Sequence, residues 1–69
     1  MKTKIKGFDL SVVELDNDSI AINFDKDGKT GGYINIKLDD DGVIVDIFNT
    51  NGDVIESTWS FYNELMDGE

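Results

Sequence analysis

The chain has 69 residues, with 15 Asp and Glu against 6 lysines, no Arg, His, Cys or Pro, and a formal net charge of −9. One small domain of this length buries only about 60% of its unfolded surface, which leaves no deep substrate cleft. Missing cysteine and histidine exclude disulfide staples, thiolate nucleophiles, zinc–thiolate sites and the commonest general base. Leu, Ile, Val and Phe make 21 of the 69 residues, above the roughly 20% floor for folded chains. Thirteen Ile and Val against one alanine, Ala21, predict a mainly β domain.

At the start, Met1-Lys2-Thr3-Lys4-Ile5-Lys6-Gly7 is basic, but Asp9 follows before any apolar run, so it does not read as a secretory signal. No stretch approaches the ~18 apolar residues of a membrane span, and a cytoplasmic protein is expected. Lys2, Lys4 and Lys6 alternate; a solubilising segment that blunts a sheet edge accounts for them better than a phosphate contact. Beyond, four turn clusters punctuate the chain: Asp16-Asn17-Asp18, Asp25–Gly32, Asp39-Asp40-Asp41-Gly42 and Asn49–Asp53. The apolar segments between them have strand length, predicting strands near Phe8–Leu15, Ser19–Phe24, Tyr33–Leu38, Val43–Phe48 and Val54–Ser57.

Two registers can be argued. A two-residue turn at Asp41-Gly42 sets Leu38 opposite Val45, Ile36 opposite Ile47 and Lys37 opposite Asp46. A three-residue loop with left-handed Gly52 sets Ile47 opposite Ile55, Phe48 opposite Val54 and Asp46 opposite Glu56. Both put Ile34, Ile36, Leu38, Val43, Val45, Ile47 and Ile55 on one core face. The first hairpin stays open, because Val12 and Val13 are adjacent. Thr58 or Ser60 can cap a helix over about 58–67, with Trp59, Tyr62 and Leu65 or Met66 at helical spacing and Gly68 as its stop. The expectation is a single α+β, mainly β domain over residues 1–69: a small antiparallel meander of about five strands with a short C-terminal helix packed on the sheet.

Chemical motifs fail one by one. Placing Gly28 or Gly42 at the sixth position of a calcium loop leaves Ile34 or Phe48 where the bidentate glutamate belongs, so calcium affinity tighter than ~10⁻⁴ M is not expected. Gly28, Gly31 and Gly32 lack phosphate-loop spacing and read as a flexible hairpin loop. Paired carboxylates such as Asp46 and Glu56 have no cleft to desolvate one of them. Trp59, Phe61 and Tyr62 lack the basic footprint of a base-stacking surface. No cofactor, metal, catalytic residue or direct nucleic-acid contact is expected, and the chain reads as a non-enzyme.

Charge is unevenly spread. Residues 1–37 hold six acids and six lysines; residues 38–69 hold nine acids and no base. Such a one-signed field costs self-repulsion while it speeds encounter with a basic partner. Alternate strand residues lie ~6.8 Å apart, close to the phosphate spacing along one DNA strand. In size and charge the chain is similar to small acidic phage and mobile-element proteins that inhibit restriction or CRISPR enzymes; no motif ties it to a family. The expected function is an interaction module for a basic protein surface, in sharper form a DNA-mimic inhibitor of a nucleic-acid-binding enzyme. Its expected contacts are Asp39, Asp40, Asp41, Asp46, Asp53 and Glu56, with Phe61 or Tyr62 as an apolar anchor. Alternatives are a weak divalent-metal or small-ligand module using the Asp-rich turns, or an accessory domain without autonomous function.

Overall fold

Turn chemistry sets the topology. Lys6-Gly7 (φ 53° and 85°) and Asp27-Gly28 (φ 53° and 79°) place two consecutive residues at positive φ, the requirement of the two-residue turns that match strand twist. The computed structural model describes residues 2–66. It shows one open antiparallel sheet of six strands in chain order: β1 Lys2–Ile5, β2 Phe8–Asp16, β3 Ser19–Lys26, β4 Lys29–Leu38, β5 Gly42–Phe48 and β6 Val54–Phe61. A helix, α1, follows at Tyr62–Leu65 and packs on β5 and β6. Among the described residues no helix is long and apolar enough to cross a membrane.

The extra strand is β1, which the lysine alternation disguises as a polar tail. It pairs along β2 from Lys2↔Ser11 to Ile5↔Phe8. Lys2 and Lys4 share a side, Lys4 Nζ lying 3.5 Å from Asp9 Oδ1, while Lys6 belongs to the turn. In the first hairpin the open register resolves as Val12↔Ile22 and Val13↔Ala21.

The turn between β4 and β5 differs from expectation. Its pairs are Leu38↔Val43, Ile36↔Val45 and Ile34↔Ile47, two residues from the expected register. Asp39 N–H donates to Gly42 O over 2.8 Å, closing the turn around Asp40-Asp41. Gly42 is a strand residue instead, buried beneath the Trp59 ring. Because side chains alternate with period two, a slip of two leaves every one on its expected face. Gly31 and Gly32 also lie within β4, where the two of them oppose Phe24 in a β-bulge. A Cβ on either would collide with the backbone oxygen of Phe24 or Phe48.

Two corrections concern the last strand. The expected loop forms: Gly52 takes φ 88°, its N–H donates to Asn49 O over 3.0 Å, and Phe48 faces Val54. One residue further the ladder shifts, so Ile47 faces Glu56 and Asp46 faces Ser57. Ile55 is the extra residue of this bulge, and the expected Ile47–Ile55 and Asp46–Glu56 pairs do not exist. The expected helix over 58–67 is also shorter. β6 continues through Phe61, with Ser57, Trp59 and Phe61 on one side and Thr58 and Ser60 on the other, a period of two. Trp59 therefore packs as a strand residue opposite Ile44. Phe61 N–H donates to Glu64 Oε1 over 2.9 Å, satisfying the group that precedes α1. Residues Asp67 and Gly68 lie outside the described residues.

Cross-strand partners share a face. One face collects Ile5, Phe8, Leu10 and Val12, then Ile20, Ile22 and Phe24, then the expected Ile34, Ile36, Leu38, Val43, Val45 and Ile47. The other interleaves polar and apolar side chains in the row Val13, Ala21, Asn35, Asp46, Ser57. On this second face Tyr33 stacks on Phe48 at 4.7 Å, and Trp59 meets Phe61 edge-on at 5.6 Å. Strands contact only their sheet neighbours. Among the described residues nothing forms a second layer, and Ala21 is the one buried hydrophobic side chain. The expected core face is thus only half-buried: Ile34, Ile36, Val43, Val45 and Ile47 are partly covered, and Leu38 is 49% exposed. The radius of gyration, 13.6 Å, exceeds the ~11 Å of a compact chain of this length.

Candidate functional site

In a meander, alternate turns lie at the same end of the sheet. The turns β2–β3 and β4–β5 and the start of α1 therefore share one end. This brings Asp16 and Asp18 beside Asp39, Asp40 and Asp41, with Glu64 on α1 close behind. The juxtaposition is fixed by backbone hydrogen bonds: Leu38 N–H donates to Asp18 O over 2.8 Å, and Tyr62 N–H to Asp41 O over 3.0 Å. The Tyr62 hydroxyl donates to Asp39 O, so the half-buried ring of Tyr62 braces the Asp39–Asp41 turn from the side.

Within the neighbouring turn, Asp16 Oδ1 accepts from Asp18 N–H over 3.1 Å and from the Ser19 hydroxyl over 2.9 Å. A side-chain hydrogen bond with Asp18, joined by these two, holds the Asp16 carboxyl down at about 2. Asp18 is pushed up, first by the same shared hydrogen bond and then by desolvation and the Asp16 charge. Lys37, opposite Ser19, is the cation whose field reaches both. The opposite end is mixed: Asp27 and Asp53 stand among Lys6, Lys26 and Lys29. Negative charge thus concentrates along the strand axis toward one end, not simply in the second half of the chain.

The residues singled out from sequence divide accordingly. Asp39, Asp40 and Asp41 lie at the acidic end, with Phe61, 51% exposed, and Tyr62 beside them. Asp53 sits in the β5–β6 loop at the far end, separated by the length of β5, about 24 Å of strand. Asp46 and Glu56 occupy opposite faces, because their partners Ser57 and Ile47 sit on opposite faces. Asp46 Oδ1 accepts from the Ser57 hydroxyl. Among the described residues no acidic sheet face is formed. Asp16, Asp18 and Glu64 were missed; the meander pattern itself, which sends alternate turns to one end, is the signal that finds the first two.

Among the described residues no group of three or more acidic side chains is arranged to hold a metal ion. No protein-family model, curated protein or solved structure matches the chain.

Proposed function

We propose that this chain is a non-enzymatic interaction module whose acidic end binds a basic protein surface. In its sharper form it is a DNA-mimic inhibitor that occupies the groove of a nucleic-acid-binding enzyme of the restriction or CRISPR kind. The observation that supports this is the gathering of Asp16, Asp18, Asp39, Asp40, Asp41 and Glu64 at one end, braced by Tyr62 and bordered by the exposed ring of Phe61. Carboxylates held on a braced turn lose little freedom on binding, and an apolar ring beside them supplies the anchor that charge alone does not.

The test captures a partner from host lysate and measures its affinity for the purified chain against salt. Exchanging Asp39, Asp40 and Asp41 together for Asn should slow association and flatten the salt dependence, while Asp53→Asn at the far end should do neither. Phe61→Ala should act on dissociation. Equal effects of the two sets of charge variants would defeat the acidic-end reading. For the mimic, labelled nucleic acid competes for the captured partner; undiminished nucleic-acid binding by the saturated complex would defeat mimicry.

A further inference from the structure

One surface left without a role is the apolar sheet face centred on Ile22, Ile34, Ile36 and Val45. A monomeric globular protein of 7.7 kDa exposes about 4,300 Å². This chain exposes 5360 Å², roughly 1,000 Å² more. That surplus matches the ~800 Å² or more that each partner contributes to a stable protein–protein interface. Domains ordinarily bury a sheet face against a second layer; α1 reaches only β5 and β6 and cannot supply one.

We infer that the second layer is a second copy of this chain, the two apolar faces packing into a β-sandwich about a two-fold axis. Charge argues for a copy. The chain carries −9 overall, yet the charged residues on this face balance: Glu14 and Glu56 against Lys26 and Lys29. A strongly acidic molecule can meet itself only through a surface of this kind. The opposite face holds Asn23, Asn35 and Asp46 in its middle and could not be dried at the same cost.

Charge also selects the direction. Copies with strands running the same way would place two acidic ends together. Copies with strands reversed put those ends at opposite poles and bring Glu14, near the acidic end of β2, over the far end of the copy's β2–β3 pair. Lys26 stands there, its Nζ 4.8 Å from the Phe8 ring centre. Packing of aligned sheets at about −30° keeps this correspondence. The inference is independent of the acidic-end reading, because it needs no partner from outside.

The test is the mass of the purified chain in solution, by light scattering and sedimentation from micromolar to several hundred micromolar, with melting temperature followed over the same range. A species of twice 7.7 kDa and a melting temperature that rises with concentration are expected. A monomer whose melting temperature ignores concentration overturns the inference. Ile36→Glu, at the centre of the face on β4, should raise the dimer dissociation constant at least a hundredfold. A dimer that survives it is joined through some other surface, such as a sheet edge at β1 or β6, and the sandwich is wrong. Should that variant not fold, exposed charges decide: Glu14→Lys should weaken the dimer by about tenfold through like-charge apposition, and Glu14→Lys with Lys26→Glu should recover it. Failure of the double variant to recover affinity overturns the reversed arrangement.

Discussion

Gly42 is the position where a single methyl group should do most damage. It is buried in β5 opposite Phe61, and a Cβ there would lie 2.9 Å from Cη2 and Cζ2 of Trp59 and closer still to Ser60 O. Carbon pairs at optimal separation stand 3.5–4.0 Å apart, so Gly42→Ala requires the ring to withdraw by about 0.6 Å or more. The Ser60 carbonyl belongs to the neighbouring strand and has no rotamer to change. Overpacking of this kind costs about 1–3 kcal/mol, against a gain of roughly 0.5–1 kcal/mol from removing a glycine from a strand. A net loss of about 1 kcal/mol is expected, which lowers the melting temperature of a domain this size by roughly 4–8 °C. Trp59 is the only tryptophan, so its fluorescence reports the displaced ring directly, and urea titration gives the stability change. Gly28→Ala is the control: its Cβ would meet nothing, and only the φ of 79° penalises it, so stability falls while the Trp59 emission stays put. A Gly42→Ala protein as stable as the parent, with unaltered emission, would refute the packing argument.

Three further outcomes follow from individual polar side chains. Asp16, with its carboxyl held at about 2, contributes stability above the unfolded value of 3.8 that is lost as pH falls toward 2; Asp18, pushed up, contributes below 3.8 and loses its contribution as pH rises through its folded value. Acidifying from neutral should therefore first raise the melting temperature and then lower it, and Asp18→Asn should remove the rise; a carboxyl-carbon NMR titration that places Asp16 at 3.8 would contradict the shared hydrogen bond. Ser57→Ala should cost about 1 kcal/mol by depriving Asp46 of its hydroxyl donor, whereas Glu56→Gln should stay within about 0.5 kcal/mol of the parent, both read from denaturant midpoints. Asn35→Val should stabilise by about 1 kcal/mol, since Asn35 Oδ1 is enclosed without a hydrogen-bond partner among the described residues and a β-branched side chain suits the strand; a loss on chemical denaturation would show that Asn35 is satisfied.

Side-chain parity was legible in the sequence, and parity carried most of the fold. Ile34, Ile36 and Leu38 share a face in any register that keeps the period of two, so the two-residue slip at Asp39–Gly42 did not disturb it. Single-residue events were not legible. The bulge at Ile55 has no glycine or aspartate to mark it, yet it moves Asp46 from Glu56 to Ser57. Trp59, Tyr62 and Leu65 happen to satisfy helical spacing, but the ring of Trp59 finds its complement in the flat backbone of Gly42 across the ladder, a preference set by tertiary contact. Of the acidic site, the Asp39–Asp41 turn was legible from composition. Its neighbours Asp16 and Asp18 were hidden because charge was summed along the chain, whereas the meander folds the chain back on itself every strand.

That folding-back changes what the acidic charge costs. Asp46 and Glu56 placed directly opposite each other would have opposed sheet formation; the Ile55 bulge sends them to different faces, and Asp46 gains a hydroxyl donor. The remaining concentration of charge sits on turns, where water screens repulsion far better than between strands. Stability is therefore not surrendered inside the sheet for the sake of a charged surface. The Asp39–Asp41 turn still keeps a defined shape, because Tyr62 ties it through both its amide and its hydroxyl. With strands reversed in the inferred dimer, two such turns project from opposite poles, each free of the apolar interface, so that pairing with a copy and the proposed binding of a basic partner would draw on separate surfaces.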